Sequence, residues 1–298
     1  MEQVERAMLE LTEVSVTFKN AHSRKRDRSA DGADSVRGLH LNERLQFKAG
    51  KVAVILGRSG TGKTTLLNLI MGFYREPKGT GWERFLTWLA MPEGRPDVKG
   101  RVLIDGKDIT DKPPHNRPVG LVMQRFSLYP HLTVEDNITF PLSNGNVPMG
   151  QTVEEVISSA AAFAALGSGK SLDKLRKSMP DSLAGGQQQR VAIAKLFVRQ
   201  PKVALFDEAF SHLDRKTQRE LWPHVKAYAS QKETPHCVLF VTHELWHAMD
   251  EEVHQIIVLG NTPSDHCSFL CDKNGSAFEK LRNDWRYKEF FDGDGSNI

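Results

Sequence analysis

Short apolar runs rich in β-branched residues recur along this chain, closed off by glycines, prolines or charges. Lys51-Val52-Ala53-Val54-Ile55-Leu56, Val203-Ala204-Leu205-Phe206 and the run from Cys237 to Val241 have almost no polar interruption. Such runs predict strands buried on both faces, as in a mainly parallel sheet covered by helices. Val14-Ser15-Val16-Thr17-Phe18 is also strand-like, and Val102-Leu103-Ile104 runs into Asp105-Gly106, a hairpin signal. Helical patterning follows the first run at Leu66-Leu67-Asn68-Leu69-Ile70-Met71. Trp82, Phe85, Leu86 and Leu89 fall at i, i+3, i+4, i+7, one apolar face of a short helix. The alanine-rich stretch from Val156 to Gly169 predicts a buried or interface helix, because it falls short of the ~20 apolar residues a membrane span needs. The expected class is α/β: a mainly parallel core, an antiparallel β lobe, and a helical lobe inserted at about residues 125–189.

Composition narrows this picture. The 298 residues suffice for one large lobed domain or two small ones, and 39% apolar with 26% charged residues fits a folded chain. Against 37 acidic residues stand 40 basic ones, a net charge of +3, and no nucleic-acid partner is expected. Cys237, Cys267 and Cys271 are too few for a disulfide framework and fit a reducing compartment. No apolar segment follows a basic cap at Met1-Glu2-Gln3-Val4-Glu5-Arg6, so no secretory signal is expected, and a membrane role would come through a partner.

The first buried run leads into Gly57-Arg58-Ser59-Gly60-Thr61-Gly62-Lys63-Thr64-Thr65 and then into the helical pattern. This is the phosphate-loop spacing G-x-x-x-x-G-K-[ST] in the strand–loop–helix setting that its chemistry needs. Glycines let backbone N–H groups turn inward around phosphates, and the helix N-terminus adds partial positive charge. Lys63 would reach the β- and γ-phosphates of a nucleoside triphosphate, and the Thr64 hydroxyl would bind Mg²⁺. The second buried run ends in Asp207-Glu208, where one carboxylate can hold the Mg²⁺ shell and the other can polarise a water. Acidic residues are equally common at ordinary strand ends.

The segment before that strand, Leu183-Ala184-Gly185-Gly186-Gln187-Gln188-Gln189-Arg190-Val191-Ala192-Ile193-Ala194-Lys195, resembles the signature of ABC transporter ATPases. Other motifs follow in the family's order over roughly residues 8–260, with a short tail over 261–298. Gln124 stands where the family has its Q-loop glutamine, Ser211-His212-Leu213-Asp214 resembles the D-loop, and His243 the switch histidine. Phe18 matches the aromatic that stacks on adenine. The resemblance implies an ATP-hydrolysing subunit that pairs head to tail with a second one, ATP lying between the phosphate loop of one and the signature of the other. Glu208 is then the general base, His243 holds γ-phosphate and water, and Gln124 senses the water and Mg²⁺, for which Thr64, Gln124 and Asp207 are the expected ligands. Ala184, Gly185, Gly186, Gln187 and Asp214 would meet nucleotide across the interface. Ser127 to Ile138 resembles the importer-type segment beside the groove for a permease's coupling helix. The resemblance thus implies transmembrane permease subunits, a solute-binding protein, a small polar solute, and a peripheral place on the cytoplasmic face of the cell membrane. A non-transport ABC ATPase and a weakly active regulatory subunit are the alternatives.

Several features depart from the family. Ala184 replaces its usual serine, and the lost hydroxyl either weakens γ-phosphate binding or is compensated by neighbours. One insertion, about residues 20–36, carries His22-Ser23-Arg24-Lys25-Arg26-Asp27-Arg28, either a solvated loop or a contact for lipid head groups or nucleic acid. A second, about residues 73–99, holds the Trp82–Leu89 face, which packs either on its own domain or on a partner. His243-Glu244-Leu245-Trp246-His247 matches a zinc-protease pattern, but no third ligand is evident. With so short a tail, the extra β-barrel domain of some sugar-importer ATPases is not expected.

Overall fold

The computed structural model describes residues 7–18, 38–41, 44–74, 96–124, 128–142, 147, 150–167, 169–231, 234–260, 267–270 and 277–283. The 20–36 insertion, the Trp82–Leu89 face and most of the tail lie outside them. An antiparallel sheet opens the chain: β1 (Ala7–Thr17) pairs with β2 (Gly38–His40), β3 (Leu45–Lys48) and β5 (Asp97–Ile104), and β5 with β6 (Lys107–Asp108). The β5–β6 connection is Asp105-Gly106 with φ of 51° and 71°, the doubly left-handed turn that suits a twisted hairpin. Glu13 and Val14 of β1 face the single Gly100 of β5, which makes a bulge. Gly100 sits at φ 88°, and a Cβ there would lie 2.5 Å from the Glu13 carbonyl, so no other residue fits.

The second sheet runs β11-β10-β4-β9-β8-β7: β7 (Val119–Val122), β8 (Val203–Asp207), β9 (Cys237–Val241), β4 (Val52–Gly57) and β10 (Val253–Leu259) are parallel. β11 (Cys267–Leu270), from the segment expected to be a tail, closes one edge antiparallel to β10. The helix Ala277–Asn283 returns Leu281 to the core. Every side chain of β4 and β9 is buried, which explains their uninterrupted apolar sequence. Helix α1 (Lys63–Met71) follows β4. Its C-terminal carbonyls at Leu69 and Ile70 accept from the buried Arg117 guanidinium at 3.1 and 2.8 Å, a cation at the negative end of the helix.

The helical lobe contains α2 (Val134–Thr139), α3 (Val153–Phe163), α4 (Gly169–Arg176) and α5 (Gly185–Val198). Thr133 caps α2, and Thr152 with Glu155 forms a complete capping box on α3. The apolar face of α3, with Val156, Ile157, Ala160 and Ala161, is buried against α5. Arg176 ties three helices together through Glu135 at 2.7 Å and Glu154 at 2.6 Å. Helix α6 (Arg215–Ala229) follows β8, and the short α7 (Leu245–Ala248) follows β9. Among the described residues no helix is long and apolar enough to cross a membrane.

Candidate functional site

β4, β9 and β8 lie side by side and parallel, so their C-terminal ends open on one edge, where ligands of open α/β sheets bind. Each strand end delivers one part of the site. After β4 the chain makes an exposed loop over Arg58, Ser59 and Gly60, with Thr61 buried, and enters α1 at Gly62. Gly62 has φ of 96°, and a Cβ there would also crowd Leu39, so glycine is needed on both counts. Lys63 folds back over the loop, its Nζ donating to the carbonyls of Gly57 at 2.7 Å and Arg58 at 2.9 Å. Burial pulls its ammonium below the usual lysine range, while Glu208 and Asp207 act in the opposite sense. A cation that has lost water and faces two carboxylates is poised to move onto a polyanion.

Asp207 ends β8, and the Thr64 hydroxyl donates to its Oδ2 at 3.1 Å. Burial raises the Asp207 carboxyl above its ordinary range, and the Thr64 bond partly offsets that. Two hard oxygen donors this close suit Mg²⁺, which takes oxygen ligands and keeps several waters. Thr65 lies half-buried one residue on. Glu208 leaves the strand in the left-handed region, φ 47°, a conformation costing about 1–3 kcal/mol for a residue with a Cβ. Two backbone bonds hold it there: its N–H donates to Val241 O at 3.1 Å, and its carbonyl accepts from Ser211 N at 3.1 Å. His243 leaves β9 beside it, Nδ1 standing 3.8 Å from Glu208 Oε2. Two carboxylates, a histidine, a lysine and a threonine hydroxyl thus converge from three strand ends.

The remaining candidates sit around this centre. Gln124 follows β7 and is exposed. Phe18 follows β1 and meets Tyr74, just past α1, edge to face, with ring centroids 5.8 Å apart at 85°. Asp214 caps α6, accepting from Thr217 N at 3.0 Å and its hydroxyl at 2.7 Å. Ala184 is the N-cap of α5 and has no side-chain acceptor to offer. Half of a capping box survives, the Ala184 N–H donating to Gln187 Oε1 at 3.2 Å. Gly185 and Gln187 are exposed, and Gly186 packs near Leu213. Among the described residues no hydrogen bond joins this signature to the phosphate loop of its own chain. Tyr74 carried no motif in the sequence; its proximity to an aromatic candidate appears only in three dimensions.

The two histidines of the zinc-type pattern differ in exposure and packing. His243 is 59% exposed beside Glu208, whereas His247 is fully buried under Trp222, Phe240 and Trp246. Both rings border one small pocket with Glu208 and Glu244, but among the described residues no three His, Cys, Asp or Glu side chains are placed to hold a metal ion.

A family model described as ABC transporter matches residues 41–211. The spermidine/putrescine import ATP-binding protein PotA of Mannheimia succiniciproducens is 35% identical over 226 residues, 75% of this chain and 52% of that protein. PotA of Thermotoga maritima is 39% identical over 183 residues, 60% of this chain and 41% of that one. The chain therefore spans about half, or less, of the length of these curated relatives. A dimeric bacterial ABC transporter cassette superimposes with a TM-score of 0.61 at 26% identity, over 85% of this chain and 95% of that chain. A bacterial Atm1-family ABC exporter with ATP bound gives 0.62 at 24% identity, covering 95% of this chain and 41% of that one, and speaks for the fold alone. The matched span takes in the phosphate loop, the signature helix and both strand-end carboxylates, and places this chain in the ABC transporter family as an ATP-binding subunit.

Proposed function

We propose that this chain binds MgATP and hydrolyses it to power an importer-type ABC transporter. The observation that carries this is the convergence of Lys63, Thr64, Asp207, Glu208 and His243 from three adjacent strand ends. Phosphoryl transfer to water needs positioning and charge neutralisation more than covalent chemistry. Lys63 leaves its loop carbonyls for the β- and γ-phosphates, joined by N–H donors of residues 60–65 at the start of α1. Thr64, Asp207 and Gln124 would hold Mg²⁺, whose charge would neutralise that of the phosphates. Glu208 accepts a proton from the attacking water, His243 holds that water and the γ-phosphate in line, and Gln124 senses the water and the metal. Phe18 stacks on the adenine.

The exposed signature at Ala184–Gln187, unconnected to its own phosphate loop, supports a head-to-tail pair with a second ATPase subunit. Exposed Met123, Tyr129 and Phe140, with Lys195 Nζ 4.0 Å above the Tyr129 ring, support a docking face for a permease segment. Permease subunits, a solute-binding protein and a peripheral place on the cytoplasmic membrane face complete this reading. The relatives' names point to small polyamines, a class of small polar solute. Glu208→Gln should bind MgATP, turn it over at least 100-fold more slowly, and accumulate as a dimer in size-exclusion chromatography. Lys63→Ala should lose tight ATP binding. A Glu208→Gln protein that stays monomeric in saturating MgATP, even with its permease present, contradicts the paired mechanism.

A further inference from the structure

We propose that Tyr74 is a base-positioning residue, which holds Phe18 at a set span from the phosphate loop and so determines how firmly a purine is gripped. This rests on Phe18 being the stacking ring. Helix α1 starts at the phosphate lysine and ends where Gly72 N–H donates to the carbonyls of Asn68 and Leu69, both at 3.0 Å. The chain then turns back, which returns Tyr74 to the side of its own helix. Asn68, midway along α1, donates from Nδ2 to the Tyr74 hydroxyl at 3.3 Å. The Tyr74 and Phe18 rings stand nearly perpendicular, at 85°. In a perpendicular pair Tyr74 can cover at most one face of Phe18, and the ring is partly exposed, which leaves it surface for a flat ring to stack on. Both side chains are half-buried against the core shared by the antiparallel sheet, α1 and one face of the parallel sheet.

Phe18 lies one residue beyond the last ladder pairs of β1, Thr17 with Gly38 and with Asp97. The sheet therefore does not itself orient the ring. The path from phosphate helix to Asn68, Tyr74 and Phe18 ties the base platform to the loop that receives the phosphates. The ligand class is a purine nucleoside triphosphate, held at both ends. Holding both ends in one geometry limits the ordering that binding must impose.

The test is equilibrium binding of MgATP and of magnesium tripolyphosphate, which has no base, to the full chain. Tyr74→Leu should weaken MgATP by about 3- to 10-fold, the range expected for losing an aromatic pair, and leave tripolyphosphate within twofold. Tyr74→Phe keeps the ring and should stay within about threefold of the parent for MgATP. Phe18→Ala with Tyr74→Leu should be no weaker than Phe18→Ala alone, because the brace acts through the ring it holds. Equal weakening of both ligands by Tyr74→Leu would make Tyr74 a support of α1 and overturn the proposal. So would unchanged MgATP affinity in Tyr74→Leu while Phe18→Ala binds more weakly. Unchanged affinity in Phe18→Ala itself would remove the stacking ring, and the brace with it, but not the phosphate site.

Discussion

His247 shows how one residue can match a motif and serve something else. Its ring stacks 3.7 Å from that of Trp246 and packs under Trp222 and Phe240, and among the described residues its Nε2 has no hydrogen-bond partner. Burial, aided by nearby His243 and opposed by Asp250 and a backbone bond at Glu244, lowers its pKa to about 3. The unfolded chain, with an ordinary histidine near 6.5, takes up this proton first. The stability tied to the neutral ring is therefore complete above about pH 6.5 and is lost as pH falls towards 3. At pH 5 the loss is about 2 kcal/mol. His247→Phe keeps the aromatic cluster and removes the titrating nitrogens. Its Tm at pH 7.5 should be no lower than the parent's, and its drop in Tm between pH 7.5 and pH 5 should be smaller by roughly 4 °C. His236, also lowered by burial, will retain part of the acid response. An undiminished drop would assign the sensitivity elsewhere.

Among the elements, α5 begins without the side-chain cap that three other helices have. α2, α3 and α6 each begin with a side-chain cap, from Thr133, Thr152 and Asp214, while α5 begins with Ala184. A serine in place of alanine at an N-cap stabilises by about 0.5–2 kcal/mol. A hydroxyl also has one donor and two acceptor sites, so capping the helix and donating to a γ-phosphate do not compete. Ala184→Ser should thus raise Tm by roughly 2–4 °C. In the Glu208→Gln background it should lower the ATP concentration at half-dimerisation by more than twofold. A higher Tm with an unmoved midpoint would mean that alanine weakens only the helix. The elements differ in how plainly the sequence announced them. β4, β8 and β9 were readable because strands buried on both faces have nowhere to put polar residues, and the loop after β4 because phosphate chemistry demands its spacing. The left-handed turn at Glu208 was not, since glutamate has no preference for it and only backbone bonds to β9 and Ser211 hold it. Nor was β11, whose pairing with β10 depends on a return of the chain that no local pattern marks. The Asn68–Tyr74–Phe18 contacts join residues up to 56 apart, from Phe18 to Tyr74, with no shared periodicity.

At the scale of the whole molecule, a single feature orders the rest: β4, which carries the phosphate loop, sits mid-sheet between β9 and β10. Both neighbours come from the far end of the chain, Val54 facing Phe240 on one side and Ile256 on the other. A chain ended at Asp250 would keep every motif of the site yet leave one edge of β4 bare, its N–H and C=O groups unpaired beside apolar side chains. Such a chain should appear in the insoluble fraction on expression and show no MgATP binding. Recovery as a soluble, nucleotide-binding monomer would mean that β10 is dispensable. The same geometry sets a clock on biosynthesis. Roughly 200 residues separate β4 from β10, and at about 5–20 residues per second a ribosome needs ~10–40 s to make them. For that interval the segment bearing the phosphate loop is a nascent, sticky strand awaiting its mates, and the yield of native protein is set by how well it is sheltered until they emerge.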